Sequence, residues 1–125
     1  MTDIKILVVD ADQASRRTLA SGLRRLGFHV IEASDGQGAR HALASTSVDA
    51  VVADLMLPSV AGLRLVRRVA HERPEMPLVL TTSYRLSHDQ IRRVAGNVRA
   101  VALKPAPAAT IAAFVDKALT GHRGA

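Results

Sequence analysis

Cysteine and tryptophan are absent from the 125 residues, and the aromatics amount to two phenylalanines and one tyrosine. Without cysteine there is neither a disulfide framework nor a thiolate metal site. With so few rings there is almost nothing on which single-stranded nucleic acid could stack. Long apolar runs are missing as well: nothing approaches the roughly 18 residues that a membrane helix requires, so no membrane association is expected. The opening residues, MTDIK, lack the basic and apolar regions of a signal peptide, and a cytoplasmic setting is the expectation. Acidic residues are the minority charge, 11 against 17 Lys+Arg, for a net +6. Such a surplus can mark a nucleic-acid binder. Here, however, the arginines fall in pairs (Arg16 and Arg17, Arg24 and Arg25, Arg67 and Arg68, Arg92 and Arg93) within helical-looking stretches. That is the pattern of solvated outer faces, so nucleic acid is not an expected partner.

What is present is a hydrophobic fraction of 48% in a chain of one-domain size, enough to bury a core without staples. Apolar runs rich in β-branched residues recur at Ile4–Val9, Phe28–Ala33, Val48–Ala53, Pro77–Thr82 and Arg99–Lys104. Several are apolar on both sides, as strands of a parallel sheet covered on two faces are. Helical periodicity separates them. Leu19, Leu23 and Leu26 share a face and Gly27 supplies a left-handed stop. "SDGQG" reads as a loop leading into Ala39–Ala44. Gly62 opens a third helix that Pro74 ends. Ser87 and Gln90 form a capping box for a fourth. Ile111, Val115 and Leu119 mark a fifth, with Gly121 beyond its end. Five strand-helix units imply right-handed crossovers and an α/β, doubly wound, five-stranded parallel sheet. One domain over residues 1–121 is expected, with a short tail at 122–125.

In such a sheet all strands point one way, so the residues that end them collect along one rim, where ligands of this architecture bind. Strand one ends in Asp10, strand three in Asp54, strand four in Thr82 and Ser83, and strand five in Lys104 followed by Pro105. Any one of these could merely cap a helix. Together they bring two acids, a hydroxyl and an ammonium to one edge. Two close carboxylates call for a cation, which lysine or a divalent metal could supply, and oxygen donors without His or Cys favour Mg²⁺ over zinc.

The stretches "ILVVDAD", "VDAVVADLMLPSVAGL", "PLVLTTS" and "VALKP", in that order and spacing, resemble the receiver domain of bacterial two-component response regulators over nearly the whole chain. The resemblance implies a flavodoxin-like receiver fold with strand order 2-1-3-4-5 and no enzymatic output. It implies a phosphoacceptor at Asp54, charged by a sensor histidine kinase or phosphotransfer protein. Thr82 and Lys104 would be the phosphoryl-contacting residues. Asp10, Asp54 and the backbone carbonyl of Met56 would ligate Mg²⁺, Val101 would hold the switch position, and Pro105 would follow a cis peptide bond. The face made by the fourth helix, fifth strand and fifth helix would be a signalling surface and candidate homodimer interface.

One departure bears on chemistry. Most receivers carry a second, directly ligating acid where this chain has Ala11, so metal binding is expected to be weak. Asp12 is the candidate substitute, although an acid just ahead of a helical run is also what capping predicts. A stand-alone response regulator acting through protein contacts is therefore the expected function. The alternative is a pseudo-receiver, an interaction module that is not phosphorylated.

Overall fold

The computed structural model describes residues 3–55, 60–94 and 97–124. Strands β1 (Lys5–Val9), β2 (His29–Ala33), β3 (Ala50–Asp54), β4 (Leu78–Thr82) and β5 (Val98–Leu103) alternate with helices. These are α1 (Gln13–Arg25), α2 (Gly36–Ser45), α3 (Val60–Glu72), α4 (His88–Val94) and α5 (Ala108–Gly124). All strand pairs are parallel, in the order β2-β1-β3-β4-β5. This is the expected doubly wound topology. No helix among the described residues is long and apolar enough to cross a membrane.

The local signals explain the boundaries. Asp12 caps α1, its side chain accepting from Ser15 N, and Gly27 takes φ 101° just past the end of α1, where a Cβ would be strained. Ser87 N donates to Gln90 Oε1 at 2.7 Å while Gln90 N donates to Ser87 Oγ at 3.1 Å, the reciprocal pair of a capping box. Three expectations change, the first being that α3 begins at Val60, ahead of Gly62. Gly36 to Gly38 are the first turn of α2 and not a loop, because Asp35 caps them through a 2.7 Å bond from Gly38 N; the cap outweighs the poor helix propensity of glycine. Likewise α5 continues through Gly121 to Gly124.

Alternation along the strands sorts the core into two layers. Ile6, Val8, Ala50, Val52, Val79 and Ala102 pack with Leu23 of α1 and with Ile111 and Val115 of α5. Their strand neighbours Leu7, Val9, Val51, Ala53, Leu78 and Leu80 pack with Leu43 of α2 and with Leu65, Val66 and Val69 of α3. A register shift beside Leu78 and Val79 lets Val98 belong to the second layer while Ala100 and Ala102 belong to the first.

Helices α1 and α5 meet at small residues. A Cβ placed on Gly22 would lie 2.5 Å from Ala108 Cβ, so the bare backbone of Gly22 is what allows the start of α5 to approach. That approach carries the β5–α5 connection, with Lys104 in it, over α1. Gly22→Ala gains about 1 kcal/mol of helix propensity but overpacks a tight contact at about 1–3 kcal/mol. A net loss of about 1 kcal/mol in urea unfolding is expected. An alanine variant as stable as the parent would show that the contact relaxes freely.

Candidate functional site

The alternation that builds the α1/α5 layer also builds the site. Continuing it two residues on from Val8, Val52, Val79 and Ala102, to the strand ends or just beyond, reaches Asp10, Asp54, Thr81 and Lys104, all on one face of the sheet and at one rim. Lys104 Nζ lies 3.0 Å from Asp10 Oδ2 and 3.3 Å from Asp54 Oδ1, and donates to Ser15 Oγ at 3.3 Å. The Lys104–Pro105 peptide bond is cis.

Asp10 is 6% exposed. Its Oδ1 accepts from Asp12 N at 2.9 Å, so both of its oxygens are engaged. Its carbonyl accepts from Arg16 Nη1 at 3.0 Å, and Arg16 Nε pairs with Glu32 at 3.2 Å. Arg16 is therefore a half-buried brace between α1, β2 and the end of β1, a correction to its reading as one of the solvated arginines. Glu32 sits on β2 between Arg16 and Arg24. Only the fold brings it there, so sequence spacing offered no signal.

Thr82 stands on the other face. It is 1% exposed, and its Oγ1 accepts from Tyr84 N at 3.1 Å. The hydroxyl nearest Asp54 belongs to its neighbour Thr81, 3.5 Å from Asp54 Oδ1 and opposite it in the β3/β4 register. Strand parity with Val79 was the signal that could have singled out Thr81. Ser15 was missed too, because its contact crosses from α1 to β5. Val101 packs against the α2/α3 layer beside Leu80. Met56, whose carbonyl the resemblance implies as a ligand, lies outside the described residues.

The electrostatics follow from burial and proximity. Asp54 is raised above its ordinary value of 3.8: burial is the largest cause, opposed by the charge of Lys104 and reinforced by that of Asp10. For Lys104, burial alone would lower the value, yet the hydrogen bond to Asp10 and the charges of Asp54 and Asp10 together raise it above 10.5.

The donors suit a hard cation only at the minimum. Asp10 and Asp54 offer carboxylate oxygens, Ala11 offers none, and Asp12 uses one oxygen, Oδ2, to accept from Ser15 N at 3.0 Å. Among the described residues no three acids or histidines gather. One or two carboxylates completed by water and phosphate oxygens are nevertheless a usual Mg²⁺ environment, so the residues fit that ion.

The family model described as "Response regulator receiver domain" matches residues 6–116. The sensor histidine kinase RcsC of Salmonella typhimurium is 32% identical over 103 residues, covering 82% of this chain and 11% of its own length. The response regulator MprA of Mycolicibacterium vanbaalenii is 38% identical over 80 residues, covering 64% of this chain and 35% of its own. The chain thus spans a small part of these relatives. Among solved structures, a receiver domain protein described as CheY-like from Methanospirillum hungatei superposes with a TM-score of 0.84 at 20% identity, covering 98% of both chains. A response regulator from Thermotoga maritima gives 0.79 at 24% identity, covering 95% of this chain and 99% of that one.

The raised Asp54 has a consequence for stability. A carboxyl whose folded-state value exceeds its unfolded one holds its proton more tightly when folded. Its contribution is most favourable below pH 3.8, declines as pH rises through the folded value, and remains a penalty above it. Asp54→Asn removes the charge and keeps the shape. Its urea midpoint is expected above the parent's at neutral pH, with the difference shrinking as pH falls through the raised folded value toward 3.8. A variant less stable than the parent at neutral pH would mean that the Lys104 pair outweighs burial.

Proposed function

We propose that this chain, which belongs to the response regulator receiver domain family, accepts a phosphoryl group on Asp54 from a phosphohistidine and signals through protein contacts. Receiver domains are signalling modules of two-component systems, not catalytic enzymes, and their use implies a histidine kinase partner. The donor here would be a sensor histidine kinase or a phosphotransfer protein, and the setting the cytoplasm. The observation that carries the reading is Lys104 Nζ, 3.0 Å from Asp10 and 3.3 Å from Asp54. It is a fixed cation where incoming phosphoryl oxygens would add negative charge.

In the transfer, a carboxylate oxygen of Asp54 attacks phosphorus in line. The P–O bond forms as the P–N bond breaks, and the imidazole nitrogen leaves with the electron pair. Burial helps, since a carboxylate held above its ordinary basicity is the better nucleophile. Lys104 then neutralises a phosphoryl oxygen. Receiver domains typically bind Mg²⁺; Asp10 and Asp54 would hold it here, with the Met56 carbonyl that the resemblance implies. When bound, the ion supplies further positive charge to the transferring group.

Thr82 serves as the hydroxyl that follows the phosphoryl group, and Val101 as the switch position. Output would run through α4, β5 and α5, including a homodimer on that face. Asp12, engaged as a cap, is not assigned to the metal. The rival reading, a module that keeps the fold without phosphoryl transfer, is motivated by Ala11.

One experiment separates them. Intact mass after incubation with acetyl phosphate and Mg²⁺ is expected to show a single phosphoryl adduct that Asp54→Asn abolishes. Ala11→Asp adds the missing carboxylate and should lower the Mg²⁺ concentration for half-maximal phosphorylation by at least about tenfold, the equivalent of only about 1.4 kcal/mol. No adduct in either the parent or Ala11→Asp would leave the rival standing.

A further inference from the structure

Helices α2 and α3 both begin at the rim where the strands end, and between them runs a groove of about 490 Å³. Its lining is Gly36, Gln37 and Arg40 from α2 with Arg64, Leu65 and Arg68 from α3. The three arginines are exposed, and among the described residues no acid shares the lining. Five other arginines are tied down, Arg16 and Arg24 to Glu32, Arg92 to Asp89, Arg73 to the Leu43 carbonyl at 2.9 Å and Arg67 to the Arg93 carbonyl at 3.4 Å, whereas Arg25, Arg85, Arg93 and Arg99 are free among the described residues but share no groove with one another. Arg40, Arg64 and Arg68 have no hydrogen-bond or ion-pair partner among the described residues. The nearby Asp35 is committed to Gly38 N and lies outside the lining.

Three free guanidinium forks facing one groove call for carboxylate or phosphate, the groups they grip two bonds at a time. The floor discriminates between them. Leu65 is apolar and 8% exposed, so only its outer edge lines the groove, and its Cδ1 lies at ordinary contact distance, 3.9 Å, from where a Cβ of residue 36 would sit. An apolar floor contributes nothing to a phosphate. Duplex DNA is convex, and firm binding takes about six to ten phosphate contacts, more than three arginines supply. Arg64 and Arg68 stand one helical turn apart, about 5–6 Å between Cβ atoms. Carboxylates two residues apart on an extended segment, about 6.6 Å, match that spacing.

We propose that the α2–α3 groove docks an acidic segment of a partner protein, whose carboxylates engage Arg40, Arg64 and Arg68 and whose apolar side chain lies over Leu65. The surface is separate from Asp54 and does not depend on its chemistry.

The test is fluorescence anisotropy at low salt with a labelled short peptide in which glutamates alternate with leucine and serine. Saturable binding is expected, weakened at least about tenfold in the triple variant Arg40→Gln, Arg64→Gln, Arg68→Gln, and little changed by Arg92→Gln with Arg93→Gln on α4. Circular dichroism melting checks that the variants fold; should the triple variant fail to, Arg64→Gln alone is expected to weaken binding about threefold. Absence of saturable binding, equal affinity in the arginine variants, or tighter binding of a labelled DNA duplex through the same arginines would overturn the proposal.

Discussion

Two carboxylates buried at one end of a parallel sheet repel each other, and the ammonium of Lys104 makes their proximity tolerable. Asp10 and Asp54 come from adjacent strands, and nothing in their own chemistry would hold them together. Lys104 comes from the far edge of the sheet, where β5 ends, and reaches both. Its position depends on three structural facts. The strands share a direction, so their ends share a rim. The register shift in β5 sets the parity that sends Lys104 to the same face as the acids. And the small residues Gly22 and Ala108 let the following helix lie close enough to α1 for Ser15 to meet the ammonium.

Features written in local sequence were legible; features created by tertiary contact were not. The strands announced themselves as short β-branched runs, and Gly27 and the Ser87–Gln90 pair marked helix ends through chemistry that acts within a few residues. The convergence of Asp10, Asp54 and Lys104 followed from topology alone. Choosing between Thr81 and Thr82 needed parity as well as position, and a strand end looks alike in either phase until its register with β3 is known. Arg16 looked like any surface arginine because Glu32 lies on another strand. At Asp35, glycine content suggested a loop, yet one carboxylate capping one amide was enough to start the helix.

Ala11 and Asp12 show how local and functional demands compete for the same few residues. The turn between β1 and α1 must deliver Asp10 to the rim and start a helix within two residues. Asp12 answers the second demand: it caps α1, and its own amide fastens Asp10 Oδ1. Both contacts orient Asp10 toward Lys104. An acid at position 12 therefore acts on the site through geometry, while the direct electrostatic contribution of an acid at position 11 is missing. The balance at this rim shifts toward its internal cation, since a single ammonium answers for both carboxylates.

That balance bears on how a charge change at Asp54 could leave the site. The two threonines of β4 face opposite layers: Thr81 toward Asp54, Thr82 toward the layer that holds Val101 and Leu86. Thr82 Oγ1 accepts from the amide of Tyr84, a residue 51% exposed, and keeps its own O–H free to donate. On the proposed reading, a turn of Thr82 toward a phosphoryl group moves Oγ1 relative to the Tyr84 amide, which couples that turn to the segment from Ser83 to Leu86. Leu86 packs on the core beside Val101, and α4 follows directly. The path out of the site on that reading is the movement of one hydroxyl. Because Val101 is aliphatic, what would reach α4 and β5 on that reading is a change of packing shape, with no polar group to carry it.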